Sequence, residues 1–463
     1  MKHTITTLTI LISTASLTLA DWPTYRADNR RSGSTDQTLT LPLKKSWSHQ
    51  GGAPQQAWTG PAKWDAYAAN AGLQSMRNFD PCHYTTISNN KVYYGSSADN
   101  AVHCIDLTSG EETWTFFTNS AVRIPPSIAG DKLFFGSDDG FAYALNSTDG
   151  KLIWKTSSIP KSSKENPERL IFNNGKTIST HPIRTGVTLI GNQAIFAGSL
   201  LPWKDSYLVS VNQSNGRARY QTKAEGIERA LGGYNQNSTG ATLQGAILTD
   251  GDNLFIPQGR AAALKFNAKT GKKIGTIGHA GGTFCLLTED NYFIAGPPSQ
   301  KIADDHIGLT DAAGKSVAAF NNTNRVVAHK NKIFLQSGNK LKAVNHAQFS
   351  KNSDRKAQLS VIIKKPNTAQ KAKLDELKAE LAKCTEDIKS SWLWEINAPS
   401  PAELIVAGNH LICGYHQKII IYDATDGKKL WETKIDGTAH GLSVSNGHLI
   451  VSTNKGEIIS FTK

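Results

Sequence analysis

Arginine and histidine are the residues of this chain whose types and settings could do chemistry. Arg123 lies in SAVRIPP, Arg184 in HPIRTG and Arg260 in PQGRAAA, each without a charged neighbour in its stretch. His83 follows Cys82 in PCHYTT, His181 opens HPIRTG, and His440 sits in TAHGL. A guanidinium is a planar fork that takes carboxylate, phosphate or sulfate bidentately. Histidines beside it add donors that titrate near neutrality. Trp203 in LLPWKD and Tyr234 in LGGYNQ supply flat faces of the kind that stack on a sugar. The implied chemistry is recognition of an anionic small molecule or acidic glycan. HExxH, GxSxG, CxxC and the glycine-rich phosphate loop are absent. The sequence therefore offers no metalloprotease, serine-hydrolase, dithiol or P-loop signature.

What could bring these residues together is a repeat. CIDLTSGEETW (104–114), ALNSTDGKLIW (144–154) and IYDATDGKKLW (421–431) share a strand, a glycine turn and a tryptophan. SVNQSNGRARY puts Tyr220 in that slot, and KFNAKTGKKIG and GLTDAAGKSVA keep the glycine alone. Trp47 and Trp394 end strands of the same kind. A period of roughly 40 residues fits four short strands and their turns. Upstream halves such as IAGDKLFFGS and VAGNHLICG read as hairpins. The fold expected is an all-β, eight-bladed β-propeller of four-stranded antiparallel blades, with seven blades as the alternative count. Strand 42–48 should complete the last blade and close the ring. A pattern of Leu374, Leu377, Leu381, Cys384 and Ile388 predicts one helical insertion over 366–391, in the sixth blade.

Aligning the inner strands puts Cys82, Arg123, Arg184, Gln244, Gly282, Thr323, Pro401 and His440 at one level around the channel. His83, His181 and His279 lie near it, and Arg260 and Trp203 reach the same face from hairpins. The result is an electropositive mouth with Arg123, Arg184 and Arg260 on one side. Carboxylates available to neutralise it are Glu168, Glu225 and Glu228. Asp138, Asp139, Asp304 and Asp305 read as turn residues. Loop aromatics Trp58, Trp64, Tyr67 and Tyr234, with Arg77, could form a platform for a sugar.

The chain has 463 residues and a formal net charge of +13, which favours anionic partners. No block of five or more consecutive Lys/Arg and no nucleic-acid motif accompanies it. Residues 1–20 read as a signal peptide ending Thr18-Leu19-Ala20, which implies a periplasmic or secreted chain whose remainder, 21–463, is one domain. No membrane span is expected. Five spread cysteines suggest buried thiols and no obligatory disulfide.

The DGK/SGE-then-Trp copies resemble the tryptophan-docked repeats of pyrroloquinoline quinone (PQQ)-type β-propellers, and DWPTYRADNRRSG resembles the opening of exported bacterial members. That resemblance implies either a quinone-dependent dehydrogenase using PQQ and calcium, or an outer-membrane-protein assembly scaffold. The chain lacks the adjacent Cys-Cys pair of the alcohol dehydrogenases and the lipidated Cys usual in the scaffolds. The reading adopted is a monomeric, non-catalytic exported propeller without a cofactor. It binds an anionic ligand or an envelope protein through the loop face.

Overall fold

Alternating apolar and polar residues, broken by Asn-Asn, Gly-Asp and Asp-Gly turns, fold here as short antiparallel strands whose apolar faces are buried between neighbouring sheets. The computed structural model describes residues 21–57, 79–173, 175–200, 204–225, 241–258, 262–278, 284–296 and 306–463. The expected signal segment lies outside them. The chain forms a β-propeller in which six four-stranded sheets stand beside one continuous sheet of eight strands. The seventeen-residue strand Lys429–Ser445 joins two four-stranded units in that larger sheet. Units 1 to 6 span 85–117, 127–157, 188–223, 248–277, 285–321 and 323–397. Unit 7 runs from 403 to 434. Unit 8 combines 438–462 with the early strand Lys44–Gln50, which pairs antiparallel with Glu457–Thr462.

The tryptophan slot has a specific task. Trp114 of unit 1 donates Nε1–H to the Ser147 carbonyl of unit 2 at 3.2 Å, and Trp154 of unit 2 donates to Gln213 O of unit 3 at 2.9 Å. Trp47, Trp394 and Trp431 do the same across the next boundary, to Leu107, Ala424 and Leu43. All of these rings but Trp431 also cover the turn glycine of the unit they meet. A Cβ on Gly150 would stand 2.7 Å from Trp114, and one on Gly216 would stand 2.9 Å from Trp154. Those glycines have φ of +69° and +67°, a left-handed conformation that penalises side chains on its own. Glycine and tryptophan are therefore two halves of one joint belonging to neighbouring units. Unit 4 has Gly275 in the slot, and the turn glycine it faces, Gly314, has nothing within 4 Å.

The segment 21–37 crosses the channel and is hydrogen-bonded to the first strand of every unit. Trp22 and Ile87 exchange backbone bonds in unit 1, and Pro23 O accepts from Ile128 N in unit 2. Asn29 Nδ2 donates to Leu189 O in unit 3. Carbonyls of Asn29, Arg30, Ser32 and Gly33 accept from Thr249, Leu287, Ala328 and Val406 of units 4 to 7. Gln37 exchanges bonds with Val444 and Asn446 of unit 8. Arg31, 2% exposed, anchors this clasp with six bonds to Thr24, Tyr25, Asp28, Thr188 and Ile247. Burial pushes its pKa down to about 10, with Asp28 and Tyr25 opposing.

The insertion of unit 6 begins earlier than the apolar pattern alone indicates. It holds α1 (His346–Lys364), the single turn α2 (Thr368–Lys371) and α3 (Leu374–Ser390). Asn345 caps α1 by accepting from Gln348 N. The predicted helix over 366–391 is the returning arm of a hairpin. Its Cys384 is buried, and Arg355 of α1 grips Glu380 of α3 through two bonds. The first arm escaped the sequence pattern because its buried residues, His346, Phe349, Ser350, Ser353 and Leu359, are mostly polar. All five cysteines are buried free thiols.

Candidate functional site

Arg123 and Arg184 enter from the segments that precede the first strands of units 2 and 3. Between them comes the hairpin turn 137–140 of unit 2, fixed by backbone bonds from Asp138 N to Ala121 O and from Ser179 N to Asp138 O. Asp138 Oδ2 accepts from Arg123 Nε at 2.7 Å, while Arg184 grips both Asp138 oxygens at 2.8 and 2.9 Å. Arg123 Nη1 donates to Asp80 Oδ2 at 2.5 Å and to the Gln55 carbonyl at 2.7 Å. Side-chain exposure in this cluster is 2% or less. Two guanidiniums thus face two carboxylates with no net charge. Burial works against the Arg123 charge, yet Asp138 and Asp80 hold its pKa above the ordinary value. Burial likewise opposes ionised Asp138, and the two arginines outweigh it and keep its pKa low. Asp80 is the weaker partner: burial raises it to about 6 despite Arg123.

The ring alignment therefore brought the two arginines together, but their neutralising partners differ from those expected. Asp138 and Asp80 do what the sequence assigned to Glu168, Glu225 and Glu228. Glu168 is an exposed residue 3.8 Å from Lys155. Asp138 is no ordinary turn residue, and Asp139 accepts from the Tyr143 hydroxyl at 2.7 Å. Arg260, Trp203, Tyr234, His279, Trp58, Trp64, Tyr67, Arg77, Glu228 and the 304–305 pair lie outside the described residues. His83 donates Nε2–H to Gly52 O, and burial lowers its pKa to about 4. His181 is buried beside Thr180 and Glu165, its pKa lowered by burial.

His440 belongs to a second place, inside the channel. A narrow cavity of about 10 Å³ is lined by Trp22, Tyr25, Arg26, Tyr84, Thr85, Glu403 and His440 among others. The clasp supplies its floor. Arg26 pairs with Glu403 and also donates to the Arg31 and Val326 carbonyls. Burial, then Arg325, lowers the His440 pKa to about 4, and burial lifts Tyr25 to about 12. At neutral pH the cavity thus presents phenols, a neutral imidazole and a closed ion pair, a set and a size suited to a water. Sequence reasoning missed Tyr25, Arg26, Tyr84 and Glu403. The available signal was Arg26 and Arg31 in the opening DWPTYRADNRRSG, where both take positive φ (55° and 58°). Among the described residues no group of His, Cys, Asp or Glu converges as a metal site.

A tricarboxylate quinone at the mouth needs cations whose donors are open to it. Arg123 has its Nε and Nη1 engaged by Asp138, Asp80 and Gln55. Those two donors of Arg123 are not open to such a cofactor.

Comparison with known proteins agrees with the fold. The quinohemoprotein alcohol dehydrogenase from Comamonas testosteroni superposes with a TM-score of 0.59 over 96% of this chain and 80% of that one, at 11% identity. A europium-containing methanol dehydrogenase gives 0.58 over 96% and 98%, also at 11% identity. Such distant likeness shows the fold alone. In sequence, tetrathionate hydrolase from Acidithiobacillus ferrooxidans is 28% identical over 173 residues, which are 37% of this chain and 31% of that protein. No helix among the described residues is long and apolar enough to cross a membrane. The family model described as outer membrane protein assembly factor BamB matches residues 53–296 and 386–463, more than half of the sequence, and the chain belongs to that family of PQQ-like propeller proteins.

Proposed function

We propose that this is a periplasmic or secreted scaffold that docks a protein partner on the face carrying its insertions, in outer-membrane-protein assembly, and that it works by binding. The observation that carries the reading is an exposed apolar patch on that face. Phe117, ending the outer strand of unit 1, is 67% exposed, and Phe172 and Leu170 of the hairpin Leu170–Asn173/Lys176–Ser179 are 77% and 37% exposed. The hairpin leans over the same corner. Lys176 donates to Asn100 Oδ1, and the Asn100 carbonyl accepts from Thr118 beside Phe117. Exposed aromatics grouped in this way mark protein contacts. The family's description supplies the class of partner.

A photo-crosslinking residue at 172, used in the native envelope, tests it. A β-barrel protein or its assembly machinery should be captured at 172 and not at Leu430, which is exposed on an outer strand. Equal capture at both positions refutes the reading. Added PQQ and calcium should yield neither quinone absorbance nor dye reduction. A small oxoanion ligand is the second reading, favoured by the match to tetrathionate hydrolase. It requires Arg260 or another cation beyond Arg123. A thermal-shift series with sulfate, thiosulfate and tetrathionate decides between them.

A further inference from the structure

The far end of the helical hairpin is strongly basic. Lys364 and Lys365 close α1, Lys371 ends α2 and Lys373 precedes α3, and all four are exposed. No Asp or Glu occurs from 355 to 374. The nearest acids begin α3, where Asp375 lies 3.8 Å from Lys378, while Glu380 is held by Arg355. Among the described residues none of the four lysines has an ion-pair partner. One turn back on the same helix face stands Val361, 71% exposed.

This tip stands clear of the sheets. The last bond from α1 to the propeller is Asp354 with Lys315 at 2.6 Å. From Asp354 to Lys364 the helix runs about 15 Å further. Beyond Asp354 the hydrogen bonds of both arms stay within the hairpin among the described residues.

We propose that the tip docks on an anionic lipid surface, its lysines among the phosphates and Val361 at the headgroup boundary. Unpaired lysines on long stems beside an exposed aliphatic residue suit a fluid, anionic plane. The tip has no arginine fork and no aromatic ring, which recognition of nucleic acid uses.

The test is co-sedimentation of the full chain with phosphatidylglycerol vesicles and with phosphatidylcholine vesicles at low and high salt. Each lysine near such a surface strengthens binding about fivefold, so losing four alone weakens partitioning about six-hundredfold, and reversing Lys364, Lys365, Lys371 and Lys373 to Glu should weaken it by at least that much. Reversing four exposed cations elsewhere, Lys161, Lys164, Arg169 and Arg219, keeps the same net charge and should change it less than tenfold. Val361→Asp should also weaken binding, with the melting temperature unchanged in every variant. Equal losses in the two charge-reversed variants would show general basic adhesion and overturn the proposal. Binding to soluble polyglutamate without binding to the vesicles would overturn it too, in favour of an acidic protein.

Discussion

Asp138→Asn tests whether the arginines at the mouth are structural. In the wild-type chain Asp138 receives three charge-assisted bonds from Arg123 and Arg184, with no exposed side-chain surface. Asparagine keeps the shape, but its amide group points donors at guanidinium donors and leaves the cluster with one uncompensated positive charge. Removing one partner of a buried pair costs about 3–5 kcal/mol, so about 4 is expected here. Arg123→Met should cost less, about 2 kcal/mol, for two reasons. Arg184 keeps its bidentate hold on Asp138, and Asp80, already raised to about 6, can take up a proton near neutral pH at about 1.4 kcal/mol per pKa unit. Combining Asp138→Asn with Arg184→Met should show at least ~1.5 kcal/mol of coupling, since the two changes remove the same bonds. Urea unfolding at pH 7.5, followed by tryptophan fluorescence, reads wild type, the three single variants (Arg184→Met included) and the double variant. An Asp138→Asn midpoint within ~0.5 kcal/mol of wild type, or additive losses, refutes the structural assignment. So does an Arg123→Met protein that keeps its stability and loses an anion-induced thermal shift.

Gly150→Ala should cost about 3 kcal/mol, since its Cβ meets Trp114 and the φ is left-handed, whereas Gly314→Ala should cost about 1 from backbone conformation alone; thermal melting compares them, and equal losses contradict the joint. Trp154→Ala should cost about 3–5 kcal/mol by leaving a cavity between units 2 and 3. Arg31→Met should cost about 3 kcal/mol in the same assay, because it removes six bonds and leaves the Tyr25 carbonyl without that donor. Acid should destabilise the fold through His83. Its folded pKa of about 4 lies below the ordinary 6.5, so its contribution is full above 6.5 and is lost, by about 3 kcal/mol, as pH falls to 4. Asp80, raised to about 6, contributes with the opposite sign between about 4 and 6. His83→Gln should flatten stability between pH 6.5 and 4 in urea titrations, and an unchanged acid slope would remove the assignment.

The propeller was legible because its period is written in residues that serve one joint, a glycine and a tryptophan at fixed separation. The ring positions of Arg123 and Arg184 followed from that register. Their partners did not, because Asp138 sits in a turn where aspartate is common for local reasons, and Asp80 lies outside the repeat. The clasp was invisible for another reason. Its bonds are mostly backbone bonds, which any sequence can make, and it shares no repeat with the strands it meets. Arg26 and Arg31, both buried, are its clearest side-chain signature.

The clasp also imposes an order on folding. Arg26 meets Glu403 across 377 positions of sequence, and Gln37 meets Val444 across 407. Neither bond can form until the last units exist, so the segment at 21–37 finds its place after nearly all that follows it. Ring closure between 44–50 and 457–462 waits on the same event. Contacts of such separation form slowly. During that interval the growing array holds an open channel and two bare strand edges, the form most prone to pair with another chain. A chaperone acting on this protein would have its chance then, and the clasp ends it by tying all eight first strands in one step.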